Sequence, residues 1–186
     1  MKLPFAQLSQ LPQLVQRSQA VQRPYVKALF DIVSRALVSA SQIDAKIQQE
    51  IAQFPVGFRF AMTVFSSDLA FYLQVNQQHQ FTLIEPQAVD LNIQFKHINH
   101  AFLVLSFQES TAVAFARDRM IVDGDLAHAV RLVRCLNQLE AVILPKVVAS
   151  LAVKQYPKNL PLVKKVTLAS QIYRKVAYQY LQELSS

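Results

Sequence analysis

The order of patterns along this chain predicts an α+β fold: a five-stranded, largely antiparallel sheet with helices packed on one face and helical extensions at both ends. Three observations carry that prediction. Apolar residues recur at helical spacing up to residue 54, alternate with period two between residues 58 and 95, and then return to helical spacing. The only two glycines among the 186 residues, Gly57 and Gly124, both stand where the pattern changes. Finally, Phe115 to Leu139 reads as a strand, a turn and a helix in direct succession.

The first arm opens with a proline-punctuated segment, Leu3 to Pro24, read as a short helix and loop. From Tyr25 to about Phe54, Leu29, Val33, Ala36, Leu37, Ala40, Ile43, Ile47 and Ile51 hold helical spacing and predict one long helix. Pro55 ends it, because proline lacks a donor and disfavours helix at the residue before it. In the first strand Phe58, Phe60, Met62 and Val64 share a side. Leu69, Phe71, Leu73 and Val75 repeat the alternation, and Phe81 and Leu83 resume it after the polar turn Gln77-Gln78-His79, which predicts a hairpin. The fourth strand is Val89 to Phe95, its wet face marked by Asp90, Asn92 and Gln94.

Lys96 to Phe107 and then Ala112 to Ala116 read as short helices. Arg119 to Asp123 is the fifth strand, Gly124 supplies the turn, and Asp125 caps an amphipathic helix running from Leu126. Beyond Pro145, Val147 to Ala152 predicts a short helical face with Lys146 and Lys154. Prolines then interrupt, and a last helix runs from about Leu162 to Leu184.

Charge is distributed unevenly. The formal net charge is +7, with +4 in residues 1–46, −3 in 47–140 and +6 in 141–186. An anionic partner would therefore meet the ends of the chain. No apolar run approaches the roughly 20 residues of a membrane span, and the N-terminus lacks the continuous apolar stretch of a secretory signal. A cytoplasmic protein is the expectation. The single Cys135, among helical leucines, reads as packing.

Enzyme readings fare badly. Phosphate loops, dinucleotide fingerprints and nucleophile elbows each need closely spaced glycines, and this chain has none. His97 and His100 share a helical spacing without a companion carboxylate or cysteine pair, so no metal site is expected. Asp118 and Asp123 read as strand-end charges and Asp125 as a cap, rather than as paired acid and base. Neither catalytic residues nor a cofactor are expected.

The alternating strand VDLNIQF, the short apolar helix after it, the passage from Ala114-Phe115 to Gly124-Asp125 and the arginine-bearing helix that follows resemble the sterol carrier protein type 2 domain family. The resemblance covers about residues 58–139. It implies a non-catalytic protein that holds a lipid in an apolar tunnel between sheet and helices. A helical lead and a helical tail make the chain similar to a bacterial subset of accessory factors in ubiquinone biosynthesis. Residues 1–54 would be the helical lead, 55–140 the lipid-binding domain and 141–186 a basic amphipathic tail. The lipid would be an isoprenoid quinone precursor, a fatty acid or a sterol-like molecule, presented to ubiquinone-biosynthesis enzymes.

The residues expected to line such a tunnel are Phe60, Met62, Phe71, Leu73, Leu91 and Ile93 on the sheet, with Phe102, Leu105, Phe115, Val130, Val133 and Leu136 on the helices. For any one of them ordinary core is the plainer reading. Whether the space closes on itself or stays open is not settled by sequence. In the last helix, Lys164, Lys165, Arg174 and Lys175 beside an apolar stripe suit peripheral docking on an anionic inner-membrane surface. A helix docked on its own domain or on a partner fits equally well. The competing function is a protein-interaction or nucleic-acid-binding module acting through the basic arms around a filled core. No recognition helix or RNA-binding motif supports specific nucleic-acid binding.

Overall fold

The computed structural model describes residues 19–106, 108–143 and 161–184. The expected elements at residues 3–18 and 147–152 lie outside them, as do Lys146 and Lys154. The described chain forms α1 (Gln19–Ser41), α2 (Ala45–Ile51), β1 (Arg59–Val64), β2 (Ala70–Val75), β3 (Phe81–Leu83), β4 (Leu91–Phe95), α3 (Ile98–Leu105), α4 (Thr111–Ala116), β5 (Met120–Gly124), α5 (Leu126–Ile143) and α6 (Leu162–Leu184).

The sheet has the order β3-β2-β1-β4-β5. Three of its four pairings are antiparallel, and β1 with β4 is parallel, Phe60 lying opposite Leu91 and Met62 opposite Ile93. The parallel pair follows from the hairpin β2–β3 standing outside β1, so that the chain must cross back past β2 and β1 to add β4. Asn76 tightens the hairpin by accepting from the backbone N–H groups of Gln78 and Gln80.

Alternation sorts the two faces of the sheet. Phe60, Met62, Val64, Phe71, Leu73, Val75, Phe81, Leu91, Ile93, Phe95 and Met120 are buried toward the helices. On the opposite face the Thr63 hydroxyl bonds to Asn92 at 3.0 Å and receives the Gln94 amide at 3.4 Å. Polar groups there bond to one another and face the wet side, as an antiparallel sheet covered on one side requires.

The long first helix is corrected in two respects. It breaks at Gln42–Asp44, where Ser41 Oγ donates to the Val38 carbonyl and Asp44 accepts from the N–H groups of Lys46 and Ile47. Side chains that bond the local backbone compete with helix and start a new one. Helix also begins before Pro24 rather than after it. Proline removes one backbone bond there, while Val26, completely buried, and Gln22, bonded to Asn99, anchor the first turns.

Candidate lipid site

The interior is built from the inner face of the sheet and the helices laid across it, and its largest groups are rings. Phe60 meets Phe71 and Phe81 at centroid distances of 6.3 and 5.3 Å, and Phe71 in turn meets Phe30 of α1 at 5.4 Å. Phe30 continues the chain of contacts to Phe95 at 6.4 Å. All four are edge-on or tilted, and aromatic pairs prefer offset or edge-on contact to a face-to-face sandwich. Along this line the space between sheet and helices is packed with side chains.

The structure brings together most of the residues expected from sequence. Phe60, Met62, Phe71, Leu73, Leu91 and Ile93 share the inner face of the sheet, and Phe102, Leu105 and Leu136 are buried against it from α3 and α5. Val133 is half-buried. Phe115 and Val130 are not in the interior: they are 48% and 44% exposed. In α4 the inward residues are Thr111 and Ala114, and Glu109, itself buried, holds both Arg117 and Arg119 at 3.0 and 2.6 Å, fixing the helix with Phe115 outward. In α5 the buried arc is Ala129, Leu132, Cys135, Leu136, Leu139 and Val142, rotated one residue from the arc through Val130 and Val133.

Phe30, Phe81 and Phe95 were missing from the sequence reading of the site. Phe81 and Phe95 carried the alternation signal, and the spacing Val26, Phe30, Leu37, Ala40 marked the buried stripe of α1.

A groove of about 1360 Å³ opens between α1 and the β1–β2 turn and continues past Leu83–Pro86 to the polar face of the sheet. Phe30, Val64, Leu69 and Phe71 form its apolar floor, while Lys27, Asp31, Arg35, Ser66 and Asp68 stand on its rim. The floor and the aromatic core are thus the same residues. Arg23 pairs with Asp68 across the rim. Arg35, largely buried, bonds Glu183 of α6 through two 2.8 Å contacts and Asp31 at 2.9 Å, and lies 4.4 Å from the Tyr180 ring. The bond to Glu183, ahead of the pairing with Asp31, holds the guanidinium above its ordinary pKa. This knot fastens the last helix to α1.

Of the four cations expected on a membrane surface, Lys164 and Arg174 are exposed. Lys165 is buried, and Lys175 donates to the Gln42 side chain at 2.7 Å. Among the described residues no three His, Cys, Asp or Glu side chains converge as metal ligands, and no helix is long and apolar enough to cross a membrane. Burial pushes the Cys135 thiol up to about 12, leaving it protonated and unreactive at neutral pH.

Burial also pushes the Glu140 carboxyl on α5 up to about 8. The unfolded chain returns it to its ordinary value of 4.5, so between those two pH values the folded state holds a proton that the unfolded state has lost. Stability then falls as pH rises through that window and is spared below it. Glu140→Gln is expected to raise stability by a few kcal/mol at about pH 9 and to change little at about pH 4. Urea denaturation at the two pH values measures this, and an equal effect at both would contradict it.

The sequence matches no protein-family model and no curated protein. Several solved structures similar to this chain share one description. They are sterol carrier protein 2 domains. The "UbiJ-SCP2 Ubiquinone synthesis protein" is 12% identical with a TM-score of 0.43, over 63% of this chain and 97% of that one. The sterol carrier protein domain 2 of Helicoverpa armigera is 15% identical with a TM-score of 0.39, over 57% of this chain and 84% of its own. Palmitated SCP2L2 of Aedes aegypti is 13% identical with a TM-score of 0.34, over 53% and 91%.

Proposed function

We propose that this chain is a non-catalytic lipid carrier whose ligand enters beside Phe30 and Phe71 and lays an apolar tail against the aromatic core. The observation that carries the reading is the shared floor: a groove open to solvent whose base, Phe30, Val64, Leu69 and Phe71, belongs to the packed interior. Each methylene moved out of water contributes about 0.8 kcal/mol, so a fifteen-carbon tail gains on the order of 12 kcal/mol gross before the rings yield space to it. The groove exceeds the roughly 300–1,000 Å³ of ordinary ligand pockets. The sequence resemblance to sterol carrier domains, and to their quinone-biosynthesis subset, favours an isoprenoid quinone precursor as cargo, handed to biosynthetic enzymes.

The test is native mass spectrometry, with organic extraction, of the protein purified from its own cells. A stoichiometric isoprenoid, acyl or sterol-like species is expected. A ligand-free mass, unchanged by challenge with quinones and fatty acids, would overturn the carrier reading. It would favour the second one, to which the ring-to-ring packing of the core lends support: an interaction module that keeps the fold and fills its interior with its own side chains.

A further inference from the structure

Helix α6 has two contrasting faces. Toward the domain it presents Lys165, Leu168, Ala169, Ile172 and Val176, with Gln179 bonded to Ser39, Tyr180 to Asp31 and Glu183 to Arg35. Among the described side chains of α6, Ile172 is the one apolar residue that is fully buried. Away from the domain Val163, Val166, Leu181 and Leu184 are 79%, 58%, 63% and 85% exposed. At 100° per residue these four fall within one sector opposite Ile172, one apolar pair near each end of the helix with Ser170 and Arg174 between them.

The charges around that sector have one sign. Lys164 and Arg174 are exposed, and Glu183, the one acid of α6, lies on the Ile172 side of the helix, 58% exposed and paired with Arg35. A second copy of this face would set cation against cation beside the apolar contact. A surface both apolar beneath and anionic above complements it. We propose that the outer face of α6 docks on a bilayer containing anionic lipid, with Val163, Val166, Leu181 and Leu184 in the acyl boundary and Lys164 and Arg174 among the headgroups. Tyr178, 61% exposed, suits the headgroup depth, where a ring with a polar tip is wetted at one end, while the Tyr173 hydroxyl is held by the Ile143 carbonyl at 2.8 Å. The inward contacts of α6 are untouched in this arrangement, so docking requires no rearrangement of the domain. The proposal stands apart from the carrier reading: a protein that retains no lipid can still dock, and a carrier can fail to.

Co-sedimentation of the full chain with phosphatidylcholine vesicles, with and without phosphatidylglycerol, tests it. Binding is expected only with phosphatidylglycerol present and is expected to weaken as salt rises. The pair Val166→Glu and Leu181→Glu should abolish it. Lys164→Glu with Arg174→Glu should weaken it by about ten-fold or more. All four side chains are exposed, so both variants should keep the native circular dichroism. Failure of the native chain to bind either vesicle, equal binding to both, or unchanged binding by either variant overturns the proposal. A dimer dissolved by Val166→Glu and Leu181→Glu, without vesicle binding, assigns the face to a second copy and overturns it as well.

Discussion

Phe71→Ala is expected to lower the stability of the ligand-free protein by about 3–5 kcal/mol and to increase the amount of lipid it takes up. Phe71 is 6% exposed, touches Phe30 and Phe60, and forms part of the groove floor. Its removal costs the transfer energy of a ring plus the cavity left behind. That cavity would be continuous with the groove. An amphiphile filling it binds only the folded state and so returns part of the lost stability by mass action. The measurement is a urea titration with and without added isoprenoid quinone or fatty acid, in the native chain and the variant. Loss of stability with no rescue by any lipid would mean that Phe71 is core alone and that the groove does not lead inward.

Gly124→Ala is expected to cost about 3 kcal/mol or more, for two reasons that act together. Gly124 has φ of +126°, a region that residues bearing a Cβ rarely enter. A Cβ there would also stand 2.5 Å from the Asp90 carbonyl oxygen and 3.0 Å from the Leu91 Cα, backbone atoms of the neighbouring strand that cannot swing away. Since Gly124 pairs with Leu91 at the end of β5, strain would propagate to the β4–β5 register and to the Asp125 cap, which accepts from the N–H groups of Ala127 and His128. Thermal unfolding of the variant measures the effect. A loss under about 1 kcal/mol would imply that the turn relaxes freely.

Strand periodicity translated directly into burial. The side of β1, β2 and β4 that carries Phe60, Met62, Phe71, Leu73, Leu91 and Ile93 is the inner face, because a period of two leaves a strand only two ways to turn. Gly124 and Asp125 were equally legible, one by its backbone freedom and the other by its cap, and the bounds Leu162–Leu184 follow from a helix that starts after Pro161. Helical periodicity was less decisive. It marks a stripe on α5, but the arc that meets the neighbouring elements is centred on Leu132 and Leu139 rather than on Val130. A rotation of one residue, 100°, is within what an apolar stripe tolerates. In α4 the stripe gives way to the ion pairs of Glu109, so Thr111 faces inward and Phe115 outward.

From the sequence alone came the α+β class, the five strands and their inner face, the capped turn at Gly124-Asp125 and the last helix. These depend on local sterics and on the period with which apolar groups recur, both of which are written residue by residue. Only the tertiary structure decided that β4 joins β1 in parallel, that Phe30 of the first helix closes the aromatic core, and that Arg35 turns one face of α6 onto α1 and leaves the other exposed. Each of these contacts joins residues far apart along the chain, and its free energy depends on which surfaces meet, something no local pattern encodes.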